Sequence, residues 1–279
     1  MGINQHVNAL RYTATHAAWE SIWVAQDILT LRNWPAVLAD RVRNKIGKRP
    51  SGNTLKLRNG LQFSLHPGSV ALYTVFVEIF YLNHYDRHPL FKINSHDTVV
   101  DIGANVGFFT LKAAHLADQG KVYAYEPCSM HFDLLSENVR RNGLNNVSVF
   151  KQAVWKETAQ LELLFSMEVE PNNTSLFAGG GGTKKEVVES VSLEDVFRLN
   201  RIETCDFLKL DCEGAEYEIL YNAPDGVFRS IRKIAMEWHR FDPSHTPDKL
   251  ARFLESKGFT LVGEPDWTQM TGHLYAYRQ

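Results

Sequence analysis

The stretch Thr98–Thr110, Thr-Val-Val-Asp-Ile-Gly-Ala-Asn-Val-Gly-Phe-Phe-Thr, constrains the fold of this 279-residue chain more than any other segment. A short β-branched apolar run leads into Asp101 and predicts a buried strand. Gly103 and Gly107 then bracket a turn, because glycine allows a sharp turn and the close approach of a ligand to the main chain. From Phe108 the apolar spacing becomes helical. The stretch therefore predicts a strand, a turn and a helix whose first N–H groups can bind polar ligand atoms.

The spacing within this turn favours one class of ligand. A dinucleotide site requires G-x-G-x-x-G, whereas this chain has Asp101-x-Gly103-x-Asn105-x-Gly107. We expect Asp101 to lie in the turn, where its carboxylate repels a pyrophosphate and suits an ammonium group. This favours the amino-acid end of S-adenosylmethionine over NAD. The alternative is a tight strand-to-helix turn that binds no ligand.

The residues after position 97 alternate between strand and helix patterns. Such alternation with short loops predicts an α/β fold with a doubly wound, Rossmann-like, mostly parallel sheet. Two further strands, at 259–263 and 272–277, are expected to close it. The other predicted strands after the first are Lys121–Glu126, Val147–Phe150, Asp206–Asp211 and Ile231–Trp238.

Residues 160–192 interrupt this alternation. We predict strands at Leu161–Phe165 and Glu186–Val191, joined by a long loop that contains the glycine run Gly179–Gly182. Long loops inside compact domains are usually functional or disordered. For the glycine run, a flexible surface insertion is an equal alternative.

The chain before the alternating region is predicted to be an appendage. We expect residues 1–69 to form a helical segment and a β-hairpin, and residues 70–279 to form the main domain. Alternating polarity on both sides of Asn59-Gly60 predicts the hairpin. A helix predicted at 70–84 carries Glu78 among apolar residues, where a carboxylate needs a partner or a ligand. We expect this helix to roof the ligand pocket.

Composition and charge limit the partners and the location. The net charge of −2 provides no basic field for nucleic acid. No apolar run reaches the ~18–20 residues that span a bilayer, so no membrane span is predicted. The first residues lack a signal pattern, and the cysteines lack C-x-x-C spacing, so we expect reduced thiols in a cytoplasmic protein. The oligomeric state stays open. The three cysteines are Cys128, Cys205 and Cys212.

Acidic residues follow several predicted strands, where open α/β sheets bind their ligands. Glu126 ends the second strand, nineteen residues after Gly107. A carboxylate at that position can accept hydrogen bonds from both hydroxyls of a ribose; the alternative is a solvated charge at a strand end. Gln152 and Ala153 follow the third strand, where an adenine would lie, although a plain loop explains them equally well.

Four ionisable residues at two neighbouring strand ends are the candidate catalytic groups: Asp211, Glu213, Glu237 and His239. One interpretation is that His239 or a carboxylate acts as a general base for a hydroxyl proton. The weaker alternative is a Mg²⁺-type site formed by Asp211, Glu213 and His239. We favour proton transfer, because neither segment has a chelating spacing. Helix capping by Asp211 and Glu213 is a third explanation.

These motifs together resemble the FkbM family of S-adenosylmethionine-dependent methyltransferases, over roughly residues 70–263. The resemblance implies the class I methyltransferase fold, a seven-stranded mostly parallel sheet whose last strand is antiparallel. It also implies O-methylation of a hydroxyl, commonly on a sugar or natural-product acceptor. The motifs that carry it are Val100–Thr110, Tyr125-Glu-Pro127, Leu134–Asn142 and Phe207–Leu220.

By this resemblance, the residues from Asp101 to Gly107 hold the methionine portion of the cofactor, Glu126 holds the ribose and Pro127 shapes the adenine side. The loop 172–175 would face a small-molecule or glycan acceptor. The alternative function is a catalytically inactive methyltransferase-fold protein that binds a glycan or a partner. The predicted cofactor-binding residues are Asp101, Gly103, Ala104, Asn105, Gly107, Phe108, Glu126, Pro127, Gln152 and Ala153.

Overall fold

The computed structural model describes residues 22–48, 54–66, 70–165, 174–175, 184–240, 245–263 and 269–278. The chain divides into two compact units, with the boundary between Ser69 and Val70. Within the described ranges, no helix combines the length and the apolar character needed to cross a bilayer.

The first unit contains helices and the predicted hairpin. Residues 22–30 are helical, and helix α1 (Trp34–Lys45) begins with a proline in its first turn, where the missing N–H has no intrahelical partner to lose. Strands β1 (Thr54–Lys56) and β2 (Gln62–Ser64) pair antiparallel, which confirms the hairpin. The amide of Asn33 fastens the start of α1 to β1, because it donates to the carbonyl of Thr54 at 2.8 Å and accepts from the N–H of Lys56 at 2.9 Å.

The second unit alternates strands and helices. Its helices are α2 (Val70–Phe80), α3 (Phe108–Leu116), α4 (Ser129–Arg141), α5 (Leu193–Asn200), α6 (Glu216–Tyr221), α7 (Asp225–Arg229) and α8 (Pro247–Ser256). Its strands are β3 (Thr98–Ile102), β4 (Lys121–Tyr125), β5 (Val147–Phe150), β6 (Ala153–Trp155), β7 (Gln160–Phe165), β8 (Thr174–Ser175), β9 (Lys184–Ser192), β10 (Phe207–Leu210), β11 (Lys233–His239), β12 (Thr260–Val262) and β13 (Thr271–Tyr277).

Seven of these strands form the main sheet, in the order β12-β13-β11-β10-β3-β4-β5. Strand β13 is antiparallel to both of its neighbours, and the other adjacent pairs are parallel. The predicted doubly wound, mostly parallel sheet is confirmed. Strand β3 lies between β4 and β10, so the strand order reverses beside it. Ligands of open α/β sheets bind at such a switch point, outside the carboxyl ends of the strands.

The central strands are buried on both faces, which explains why their sequences are nearly continuous apolar runs. In β10, Phe207, Leu208 and Leu210 are completely buried, and in β3 so are Val99 and Val100. The exceptions are charged residues in the same two strands, Asp101 and Lys209, which are also buried. Buried charges require partners. Asp101 and Lys209 therefore indicate the end of the sheet at which we expect the functional site.

A second sheet, in the order β6-β9-β7-β8, contains the insertion. The two predicted strands of the interruption are confirmed as β7 and β9, which pair antiparallel. The interpretation of Ala153 as part of a plain loop is wrong, because it begins β6 and pairs parallel with β9. Of the loop 172–175 that was expected to face the acceptor, Thr174 and Ser175 form β8, whereas residues 172–173 and the glycine run 179–182 lie outside the described residues. Helices α5 and α7 were not predicted, because their short sequences carry few turns of periodic signal.

Candidate active site

A cavity of about 380 Å³ opens at the carboxyl ends of β3, β4, β10 and β11. Its volume falls in the range of small-molecule sites, ~300–1,000 Å³. Helix α2 contributes Thr74, Val75, Glu78 and Ile79 to the wall, which confirms that this helix covers the pocket. The predicted site residues that line it are Gly103, Ala104, Asn105, Phe108, Glu126, Pro127, Ala153, Asp211, Glu213 and Glu237. The predicted residues Asp101, Gly107, Gln152 and His239 do not line it.

The turn after β3 is held between two neighbouring strands. The N–H groups of Gly103 and Ala104 both donate to the carbonyl of Tyr125, each at 3.0 Å. Gly103 has φ +76°, and a Cβ atom placed there would lie 1.7 Å from the backbone oxygen of Asp211. Gly107 has φ +93°, and its Cβ would lie 2.7 Å from a methyl group of Leu135. Gly103 therefore requires glycine for its φ and for its close backbone contact, whereas Gly107 requires it for its φ alone, because the end of a leucine side chain can move aside.

Glu126 connects this turn to the turn after β4. Its Oε2 accepts the N–H of Asn105 at 2.8 Å, and its Oε1 accepts the N–H of Cys128 at 2.9 Å. The residue is 5% exposed. Each carboxylate oxygen has a second acceptor site, so Glu126 is oriented by the main chain and keeps the capacity to accept hydrogen bonds from hydroxyl groups.

Asp101 occupies a different position from the one we expected. It belongs to β3 rather than to the turn, and it is completely buried. Its carboxylate accepts the hydroxyl of Thr110 at 2.6 Å and lies 3.1 Å from Nζ of Lys209. Lys209 stands directly opposite Asp101 in the parallel pairing of β3 with β10. The strand continues through Asp101 because Lys209 balances its charge, and Lys209 in turn contacts the turn at Gly103.

Lys209 also contacts the turn after β3 and Asp211, one of the four candidate catalytic residues. Its Nζ donates to the carbonyl of Gly103 at 2.7 Å and lies 3.5 Å from Oδ2 of Asp211. The same Oδ2 accepts the hydroxyl of Tyr85 at 2.7 Å. Burial raises the pKa of Asp211, but the charge of Lys209 and the Tyr85 hydrogen bond outweigh it and hold that pKa below its ordinary value. Tyr85 has no motif around it, so the sequence contained no signal for this contact.

His239 is held behind the cavity wall. Its backbone N–H and its Nδ1 lie 2.8 and 3.1 Å from Oε1 of the buried Glu216, and its Nε2 lies 3.6 Å from Glu213. Burial disfavours the imidazolium, but the hydrogen bond and charge of Glu216 raise the pKa of His239 to about 9. The imidazole is therefore protonated at neutral pH. This argues against our expectation that His239 takes the hydroxyl proton.

Three carboxyl groups of the cavity wall titrate close to neutrality. Burial, reinforced by the charge of Asp211, raises the pKa of Glu78 to about 7 and that of Glu237 to about 8. Burial also raises the pKa of Glu213 to about 7, against the opposing charge of His239. A proton acceptor works best when its pKa lies near the working pH, so these carboxyl groups are the better candidates for the base.

The geometry does not favour the Mg²⁺-type site that the sequence analysis considered as an alternative. Among the described residues, the group whose metal-type ligand atoms all lie within 4.8 Å of one another consists of Glu126, Cys128 and His131. The set that we had considered, Asp211, Glu213 and His239, does not form such a group.

The sheet order, the glycine turn after β3 and the oriented carboxylate after β4 define the class I methyltransferase fold. The sequence profile of the methyltransferase FkbM domain matches residues 101–261, more than half of the chain. The chain belongs to this family, and it is an S-adenosylmethionine-dependent methyltransferase.

Several known proteins resemble the chain. The methyltransferase sdnD of Sordaria araneosa is 28% identical over 217 residues, which cover 67% of this chain and 82% of that protein. The 31-O-demethyl-FK506 methyltransferase FkbM of Streptomyces tacrolimicus is 28% identical over 241 residues, 76% of this chain and 91% of its own. A solved SAM-dependent methyltransferase from Aquifex aeolicus has 15% identity and a TM-score of 0.39, covering 74% of this chain and 96% of that one.

Proposed function

We propose that this enzyme transfers a methyl group to a hydroxyl oxygen of a sugar, glycoside or natural-product acceptor. The observation that supports this most is that one cavity is lined both by Glu126 and by carboxyl groups whose pKa values lie near neutrality. The name of the Streptomyces relative, a 31-O-demethyl-FK506 methyltransferase, supports an oxygen acceptor on a natural product.

The residues of the cavity fit S-adenosylmethionine. Glu126 can still accept hydrogen bonds from the two ribose hydroxyls. Gly103 has no side chain, so its backbone forms part of the cavity wall. Acidic groups in the same wall suit a ligand that carries a positively charged sulfur and an ammonium group. We assign Gly103, Ala104, Asn105 and Phe108 to the methionine side, as the turn and the first residue of α3. Pro127 and Ala153 are assigned to the adenine side.

When bound, S-adenosylmethionine supplies an electrophilic methyl group on a positively charged sulfur. We assign to Glu237 the role of proton acceptor: its carboxylate takes the proton of the acceptor hydroxyl, while the bound cofactor would supply the methyl group by cleavage of its sulfur–carbon bond and leave as S-adenosylhomocysteine. Asp211, held by Tyr85 and Lys209, stays ionised and orients the acceptor. His239, held by Glu216, positions Glu213. In-line displacement depends on alignment, which these fixed side chains provide.

The pH profile tests the assignment of Glu237. We expect kcat to rise with pH, tenfold per unit below the pKa, and to level off near pH 8, because the carboxyl must lose its proton before it can act as a base. The cationic cofactor lowers this pKa, so the midpoint should fall at or below about 8. Glu237→Gln should lower kcat by about 100-fold or more and remove the rising limb.

Glu213→Gln is the matched control, because it changes the neighbouring carboxyl and should retain the rising limb. Calorimetry with S-adenosylhomocysteine separates the catalytic effect from cofactor binding, which both variants should keep within about threefold. A Glu237→Gln variant that retains the limb would assign the base elsewhere.

A screen of acceptors tests the proposed reaction. We expect purified enzyme with isotope-labelled S-adenosylmethionine to label a member of a panel of hydroxylated sugars, glycosides and polyketides, with the methyl located on oxygen by mass spectrometry. RNA should stay unlabelled, because the wall contains Asp211, whose carboxyl group stays ionised and repels phosphates. Binding of S-adenosylhomocysteine without any transfer would favour the inactive binding protein. A cytoplasmic location stays a prediction, consistent with the three free thiols.

A further inference from the structure

His131 lines the cavity beside Glu126, and neither the motifs nor the reaction assigned it a role. It lies in the first turn of α4 and is 2% exposed. Its Nδ1 lies 3.8 Å from Oε1 of Glu126. Its Nε2 is buried and has no hydrogen-bond partner within the described residues. Because buried N–H groups are nearly always hydrogen-bonded, the enclosed Nε2 limits where the proton of this imidazole can lie.

The position of the imidazole proton follows from these contacts. A buried N–H group without an acceptor is rarer in proteins than a buried acceptor without a donor. We therefore assign the tautomer that carries Nδ1–H, facing the carboxylate, with the lone pair on Nε2. The separation of 3.8 Å is too long for a direct hydrogen bond between Nδ1 and Oε1.

We propose that His131 and Glu126 together hold one ribose hydroxyl of the cofactor. A hydroxyl oxygen can lie about 2.8 Å from both atoms of a pair separated in this way. It accepts the Nδ1–H of His131 and donates its own proton to Oε1 of Glu126. The gap between the two side chains therefore matches a group that is both donor and acceptor. This inference rests on the assignment of Glu126 to the ribose.

A metal ion is the competing occupant of the same place, because Cys128 completes a group of three ligand types. One observation favours the hydroxyl: burial raises the pKa of the Cys128 thiol, which disfavours the thiolate that a metal needs.

The test measures binding of S-adenosylhomocysteine and of its 2′-deoxy and 3′-deoxy analogues by calorimetry. We expect His131→Ala to weaken binding of the full ligand by about tenfold. His131→Asn should bind within about threefold of the wild type, because its amide N–H replaces Nδ1–H. The deoxy analogue that lacks this hydroxyl should lose about tenfold more affinity in the wild type than in His131→Ala, because the variant has only the contact of that hydroxyl with Glu126 left to lose. A merely structural role would instead weaken all three ligands equally, and that result would overturn the proposal.

Two further measurements distinguish a failure of the ribose assignment from a failure of the role proposed for His131. If Glu126→Gln leaves the affinity for S-adenosylhomocysteine unchanged, the ribose assignment fails and this inference fails with it. If Glu126→Gln weakens binding but His131→Ala does not, only the role of His131 is lost. Protein treated with EDTA should bind S-adenosylhomocysteine as untreated protein does; a Zn²⁺-dependent change that requires His131 would establish the metal site instead.

Discussion

Replacing Glu126 with alanine is expected to weaken the binding of S-adenosylhomocysteine by about 100-fold or more. Hydrogen bonds to a charged group each contribute ~1.5–3 kcal/mol, and the ribose hydroxyls would lose two of them. The substitution also leaves the N–H groups of Asn105 and Cys128 without their acceptor. Each buried unpaired group costs ~1–3 kcal/mol. The variant should therefore bind poorly and melt a few degrees lower.

Calorimetry measures this loss, and thermal unfolding in the absence of ligand measures the cost to the fold. Glu255→Ala is a suitable control, because Glu255 is an exposed carboxyl on α8 that does not line the cavity. It should change neither quantity appreciably. Unchanged affinity in Glu126→Ala would refute the assignment of this carboxylate to the ribose.

Gly103→Ala is expected to cause the largest loss of stability. The added Cβ would lie 1.7 Å from the backbone oxygen of Asp211, and a backbone atom of the neighbouring segment cannot move aside as a flexible side chain does. The left-handed conformation of Gly103 adds ~1–2 kcal/mol. We expect a total above ~3 kcal/mol, which corresponds to a fall in Tm of ~6–12 °C or more.

Gly143→Ala is the matched control for backbone strain alone. Gly143 has φ +62°, but a Cβ there would meet nothing within 4 Å. It should cost only ~1–2 kcal/mol, or a few degrees in Tm. Gly103→Ala should also lose cofactor binding, because separating the turn from Asp211 deforms the cavity wall, whereas Gly143→Ala should bind normally. Equal Tm values for the two variants would show that close contact with Asp211 is not what requires glycine.

The fold was predictable where local patterns were strong. The apolar run before Asp101, the hairpin turn at Asn59-Gly60 and the alternation from residue 97 all have periods that specify one kind of element. Strand β6 was missed because three residues carry too little periodicity, and its pairing with β9 is a contact between distant parts of the chain. Helices α5 and α7 were missed for a similar reason.

The residues of the candidate site were likewise predictable only where local patterns were strong. Residues next to the glycine turn and at strand ends, such as Gly103, Glu126 and Asp211, were found because their positions follow from the fold. Tyr85 and His131 had no motif and are brought to the site by packing. Asp101 and His239 were found, but their surroundings changed the interpretation, since each is held by a charged group that the sequence could not place beside it.

The sequence by itself determined the class of fold, the cofactor and the acidic residues that line the cavity, because strand periodicity, glycine positions and strand ends are local properties of the chain. Only the tertiary structure decided which carboxyl groups have their charge balanced by a neighbouring cation and which have a pKa near neutrality. That distinction depends on burial and on charges supplied by neighbouring strands, as Lys209 on β10 neutralises Asp101 on β3 and Glu216 on α6 keeps His239 on β11 protonated. Such pairings form only when distant segments pack together, so no local pattern can encode them.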